Sequence, residues 1–249
     1  MPEEARIWEI LGGEGLREIR HTRLDLESRI EGWLDKDISI ISDDLLVVGR
    51  QVQTVFGGII DLLCLDSQGD VTIVELKRDK TPREITAQTL DYASWVKDLS
   101  NEKLTEIANA YLGKRGPLEE AFRKRFDTEL PEVLNENHKM MIVASELDSS
   151  SERIIRYLSD SYGVGINVAT FGYFRNENGQ EFLARVFLIE PEQVEYKTHT
   201  KSSSKRKPLL THEELRDIAH HNGVGDIYMM LVEGLKNHFD QTVDATLEN

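Results

Sequence analysis

The sequence predicts an α/β fold in which helices flank a central mixed β-sheet, followed by a small C-terminal helical segment. Three observations predict it. Residues 59–65 (IIDLLCL) and 71–77 (VTIVELK) are strand-type runs parted by the turn-forming stretch DSQGD. A long helical pattern with a well-marked start follows at once, and strand and helix patterns then alternate up to about residue 189.

In chain order, residues 24–34 (LDLESRIEGWL) set Leu26, Ile30, Trp33 and Leu34 at helical spacing. Leu45–Val48 reads as a short strand and 52–56 as a second, ahead of the pair at 59–65 and 71–77. In Thr81-Pro82-Arg83-Glu84 a capping hydroxyl precedes proline at the first helical position and glutamate at the third. The apolar pattern after it runs to about Leu99, and 103–126 is mainly helical in character. Met140–Ala144 is a buried-type strand and 151–162 a helix, with strands over 166–174 and 182–189 around Asn176–Gly179. Residues 1–196 are thus expected as one domain. The serine- and lysine-rich stretch 197–208 is expected as a basic flexible linker. Residues 209–249 open on the capping box Thr211-His-Glu-Glu214 and read as a small helical segment, the start of a further domain.

With 39% hydrophobic and 30% charged residues, the 249-residue chain has the composition of a soluble globular protein. It holds no run near the ~20 apolar residues of a membrane span, and its first residues lack the basic flank and apolar core of a secretory signal. Cys64 is the only cysteine, which excludes an internal disulfide and a cysteine-based zinc site. A cytoplasmic protein with no membrane partner is expected. The net charge of −15 and pI near 4.9 exclude a broad basic face for nucleic acid. Positive charge is instead clustered, at Arg17, Arg20, His21 and Arg23 and again between Lys197 and Lys207.

The chemistry is concentrated in the 59–77 hairpin. With the turn centred on Gln68, Leu65 falls opposite Val71 and Asp61 opposite Glu75. Opposed side chains on one face lie roughly 4.5–5.5 Å apart at Cβ, where like charges repel. Lys77 shares that face, one pleat beyond Glu75. Two acids and a base on an otherwise apolar surface give a structural protein nothing. A divalent cation resolves the repulsion: two carboxylates plus waters suit Mg²⁺ or Mn²⁺. The reaction such a set assembles is metal-assisted hydrolysis of a phosphodiester, with the lysine acting on the attacking water. Glu-x-Lys alone carries little, because Glu195-Tyr-Lys197 repeats it with no aspartate across a hairpin. On the following helix, Gln88 and Tyr92 fall on the core-facing stripe one turn apart.

The run from Gly49 to Val96 (GRQVQTVFGGIIDLLCLDSQGDVTIVELKRDKTPREITAQTLDYASWV) resembles the PD-(D/E)xK nuclease superfamily. Within that superfamily it is most similar to the NucS/EndoMS-like endonucleases and the uncharacterised domains grouped with them. The resemblance implies a restriction-endonuclease-like core over 1–196, Mg²⁺ or Mn²⁺ as cofactor, and cleavage of DNA. Asp61 matches the metal-binding aspartate, Glu75 and Lys77 the (D/E)xK pair, and Gln88 and Tyr92 the QxxxY motif. Such families also carry a glutamate in the first core helix. Glu27 fits that place, with Glu31, one turn later, as the competing choice. The N-terminal DNA-binding and dimerisation domain of NucS enzymes has no counterpart in the roughly twenty residues ahead of Leu24, so the resemblance implies no DNA-structure preference.

Of the other residues, His220-His221 read as solvated, Cys64 as packing, and Trp8, Trp33 and Trp95 as core. Arg50 and Arg78 either contact phosphates beside the site or end in solvent. The expected function is a divalent-metal-dependent nuclease acting on DNA, endonucleolytic and related to repair or defence, with a homodimer compatible. The alternatives are a non-catalytic nucleic-acid-binding or assembly module that retains the fold, and an enzyme acting on RNA.

Overall fold

A computed structural model of the chain describes residues 5–22, 27–81, 84–194 and 212–238. The chain forms two compact units, Met1–Thr198 and His199–Asn249.

The first unit opens with a two-stranded hairpin, β1 (Ile7–Leu11) and β2 (Gly15–Ile19), followed by the short β3 (His21–Thr22) and helix α1 (Glu27–Lys36). Strands β4 (Leu46–Gln53), β5 (Ile59–Leu65) and β6 (Val71–Thr81) come next. They lead into α2 (Glu84–Lys97), α3 (Asn101–Leu112) and α4 (Leu118–Phe126). The unit is completed by β7 (His138–Leu147), α5 (Ser149–Tyr162), β8 (Ile166–Arg175) and β9 (Glu181–Phe187). One sheet of seven strands runs in the order β3-β8-β7-β6-β5-β4, with β9 also paired to β8. β6, β7 and β8 are parallel neighbours, whereas β4–β5, β5–β6 and β8–β9 are antiparallel. The sheet is therefore mixed, and helices flank it as expected.

Period-two alternation sorts the strands' apolar residues to two faces. Leu62, Cys64, Val74 and Leu76 pack with Ile30 and Leu34 of α1. Leu63, Leu65, Val71 and Ile73 pack with Ile85, Tyr92 and Val96 of α2 and with residues of α3, α4 and α5. A sheet buried on both faces holds its register strongly, since a slip of one residue would exchange the two sets. The β5–β6 turn reinforces it. Asp66 Oδ1 accepts the backbone N–H of Gln68 at 3.0 Å and of Asp70 at 2.9 Å, while Lys139 of β7 pairs with Asp66 Oδ2 at 3.0 Å. The resulting pairs run from Leu65↔Val71 to Leu62↔Val74, the register that the turn centred on Gln68 predicts.

Some elements differ from expectation. Residues 45–48 and 52–56 are not two strands: β4 is continuous to Gln53, and 54–58 form the loop to β5. β6 extends to Thr81 because its far end pairs with β7, Lys80 opposite Glu146 and Thr81 opposite Leu147. Trp8 is 45% exposed on the N-terminal hairpin under the Arg6 guanidinium rather than in the core. Trp95 is buried and Trp33 partly so. Arg17 of the expected basic cluster is ion-paired to Glu177 at 2.6 Å. The expected linker, its lysines and Glu195-Tyr-Lys197 lie outside the described residues.

In the second unit, α6 (His212–His221) and α7 (Gly225–His238) form a helical hairpin whose joint is closed by a bond from the Val224 N–H to the Ala219 carbonyl at 2.9 Å. His220 and His221 are exposed. Among the described residues, no helix is long and apolar enough to cross a membrane.

Candidate active site

The site is built where β5 and β6 part. One step beyond the Leu62↔Val74 pair, Asp61 and Glu75 are the next residues in register. There the Leu76 N–H donates to Asp61 Oδ2 at 2.8 Å. A carboxylate thus occupies the line of a strand hydrogen bond, which fixes Asp61 against the β6 backbone.

Glu75 is only 1% exposed. Lys77 Nζ lies 3.1 Å from its Oε1, and its Oε2 is buried with no hydrogen-bond partner among the described residues. A buried carboxylate oxygen without a donor is costly and rare. Its electrostatics agree: burial first, and then the Asp61 carboxylate, push Glu75 up to about 7. Lys77 and, more weakly, the Asp61 backbone N–H pull the other way. Asp61 is also raised, chiefly by burial, against the pull of the Leu76 N–H and the Gln51 amide.

Gln51 carries no motif signal, yet it is tied into the site. It lies in β4 with a left-handed φ of 51°, uncommon for a non-glycine residue and a form of strain that concentrates at functional sites. Its Nε2 donates to Asp61 Oδ1 at 3.0 Å and to Glu31 Oε1 at 2.9 Å. Behind it a polar network continues. Arg50 donates to Glu31 at 3.0 Å and to Asp35 at 3.3 Å, and the Tyr111 hydroxyl of α3 donates to Asp35. The helix acid joined to Asp61 is therefore Glu31. Glu27 stands at the first residue of α1, one turn earlier, and its side chain lies outside the description, as does that of Arg78. Arg50, open in the sequence to phosphate or solvent, is held in ion pairs by two acids of α1.

Tyr92 is 4% exposed in the α2 core, and the Gln88 Nε2 donates to its hydroxyl at 2.7 Å. This bond gives each side chain a polar partner on the face of the sheet to which strand alternation assigns Asp61, Glu75 and Lys77. Gly58 abuts the same ring: a Cβ there would lie 2.5 Å from Tyr92 Cε1. Cys64, on the opposite face, is fully buried and its thiol is pushed up by that burial.

Among the described residues no group of three or more His, Cys, Asp and Glu is placed to hold a metal ion. The pair Asp61 and Glu75 offers oxygen donors only, one of them without a hydrogen bond. That donor set fits a hard divalent cation that keeps most of its waters.

No protein-family model and no curated protein matches the chain. Among solved structures it is similar to a repair endonuclease from Pyrococcus abyssi, at 15% identity and TM-score 0.35, over 59% of this chain and 48% of that one. It is also similar to EndoMS in a complex with double-stranded DNA, at 16% identity and TM-score 0.36 over 66% of this chain and 64% of that one. Against EndoMS in its apo form the values are 16% and 0.32, over 65% and 62%. The chain spans from about half to just under two thirds of the length of those proteins.

Proposed function

We propose that the chain is a divalent-metal-dependent nuclease that hydrolyses phosphodiester bonds of DNA, using Asp61, Glu75 and Lys77. The observation that carries this reading is the buried Glu75, set beside Asp61 and Lys77 with Oε2 lacking a donor. No packing requirement explains such a group, and replacement of it by apolar residues would remove the cost altogether.

Asp61 and Glu75 would hold Mg²⁺ or Mn²⁺, which when bound polarises a phosphoryl oxygen and offsets charge developing on it. Asp61 is fixed for that task by the Leu76 N–H and the Gln51 amide. Lys77, 30% exposed at its side chain and 3.1 Å from Glu75, would orient the attacking water and donate to a non-bridging phosphate oxygen. Gln88 and Tyr92, hydrogen-bonded to each other on α2, would support that face. Glu31, through Gln51, is the acid that positions Asp61. The resemblance of residues 49–96 to PD-(D/E)xK nucleases agrees with DNA as substrate. The acidic surface leaves the grip on it local.

The test incubates the purified chain with single-stranded, duplex, flapped and mismatched DNA and with RNA, in Mg²⁺ or Mn²⁺ and in EDTA, beside Glu75→Ala. Cleavage of DNA that needs the cation and disappears in the variant is expected. Tight binding without cleavage under every condition would replace the enzyme with a binding module, and cleavage of RNA alone would change the substrate.

A further inference from the structure

The loop 54–58 between β4 and β5 carries two adjacent apolar side chains into solvent, Val55 at 76% and Phe56 at 74% exposed. Large apolar groups held out in water at a loop tip forgo the stabilisation of burial, and neither packs in either core cluster. The loop is nonetheless tightly built. The Thr54 N–H donates to the Gly58 carbonyl at 2.8 Å, the Gly57 N–H to the Thr54 carbonyl at 3.2 Å, and the Gly58 N–H to Thr54 Oγ1 at 3.0 Å. Gly57 supplies the positive φ of 88° that the turn requires. Gly58 sits so close on Tyr92 that no side chain fits between them, which ties the loop to the helix bearing Gln88.

Its position relative to the site follows from the strand. Gln53↔Ile59 is the last pair of the β4–β5 ladder, and Asp61 lies two residues along β5, about 7 Å away at ~3.3 Å per residue. A nucleic-acid strand advances ~3.4 Å per stacked nucleotide, so the foot of the loop at Ile59 stands about two nucleotides from a phosphate at Asp61, and the tip further out. A groove of about 500 Å³ runs from Thr54 and Val55 past Trp95 to Tyr111, a size in the usual range for a small-ligand cleft. Its two cations are already engaged, Arg50 with Glu31 and Lys103 with Glu106 at 2.8 Å. Val55 lines that groove, and Phe56 stands outside it.

Resting on the nuclease reading, the geometry points to Phe56 as a stacking residue that, with Val55, holds one unstacked nucleobase beside the scissile phosphate. An aromatic face accepts any base, so this contact would anchor the strand without reading its sequence.

The test places the fluorescent base 2-aminopurine at successive positions of a DNA strand, single-stranded or in duplex, and titrates the full chain in EDTA and in Ca²⁺. Because the contact reads no sequence and binding samples every register, wild type is expected to change the fluorescence by a similar fraction at each internal position. Phe56→Ala, whose exposed site leaves the thermal midpoint unchanged, is expected to lose that change and to bind about tenfold more weakly or worse. Phe56→Trp is expected to restore both. Equal affinity and equal signal in wild type and Phe56→Ala overturn the assignment, as does absence of DNA binding by either protein. Cleavage separates the two readings. Metal-dependent, Glu75-dependent cleavage that Phe56→Ala leaves at the wild-type rate removes the stacking role and spares the nuclease. A Phe56-dependent fluorescence signal from a chain that never cleaves keeps the stacking contact and removes the enzyme.

Discussion

Glu75→Gln, measured without divalent cation, separates a buried charge held for function from an ordinary structural carboxylate. Glu75 rises from an ordinary 4.5 to about 7 in the folded chain. The folded state therefore binds its proton more tightly than the unfolded state. That contribution to stability is complete below about 4.5 and is lost as pH rises through about 7. At ~1.4 kcal/mol per unit, the full effect is on the order of 3 kcal/mol. Denaturant unfolding in EDTA at pH 5, 6, 7 and 8, followed by the fluorescence of Trp33 and Trp95, reads it. The amide variant has no group to titrate there. It is expected to match wild type near pH 5 and to exceed it by up to about 3 kcal/mol at pH 8. Adding Mn²⁺ at pH 8 is expected to stabilise wild type and not the variant, because ligand that binds only the folded state adds stability by mass action. A difference between the two proteins that stays flat from pH 5 to 8 would show that Glu75 is ionised at no cost.

Other expectations follow from the same geometry. Gln51→Gly tolerates the left-handed backbone but deletes the amide between Glu31 and Asp61. Cleavage is expected to fall about 10- to 100-fold, as for other residues that orient a ligand, while the unfolding free energy shifts by about 1 kcal/mol or less; an unchanged rate would remove Gln51 from the site. Tyr92→Phe leaves the Gln88 amide without its acceptor and is expected to cost about 1–2 kcal/mol by denaturant unfolding; a neutral result would mean that water replaces the hydroxyl at no cost. Gly58→Ala drives a methyl group onto the Tyr92 ring and is expected to cost about 1–3 kcal/mol; a thermal midpoint equal to wild type would show that the loop yields.

The hairpin was legible in the sequence because its two strands alternate cleanly across a turn that Asp66 and Gly69 specify. The register of Leu65 with Val71 followed from those residues alone. The α2 helix was legible in its apolar stripe, and so was the Gln88–Tyr92 pairing, because residues one turn apart meet on any helix. Gln51 was not legible. Its importance comes from a left-handed backbone and from two carboxylates brought to it from α1 and β5, which no local pattern records. The choice between Glu27 and Glu31 was open for a related reason. Both lie at helical spacing, and only the direction in which α1 crosses the sheet brings Glu31 to Gln51. The N-terminal hairpin left a usable signal, Gly12-Gly13 between two strand-type runs, but its exposed outer residues blur the alternation. The split of β4 into two runs failed where Thr54 begins the turn, because Val55 and Phe56 look like strand residues and are held out in solvent instead.

The proposed hydrolysis requires that Asp61 and Glu75 together form a divalent-cation site. Calorimetric titration of Mn²⁺ into the wild-type chain, Asp61→Asn and Glu75→Gln at pH 8, with cleavage rates taken on the same samples, tests it most directly. A saturable site is expected in wild type, and both variants are expected to lose it together with cleavage. Undiminished Mn²⁺ binding in both variants, or cleavage that survives them, would contradict it.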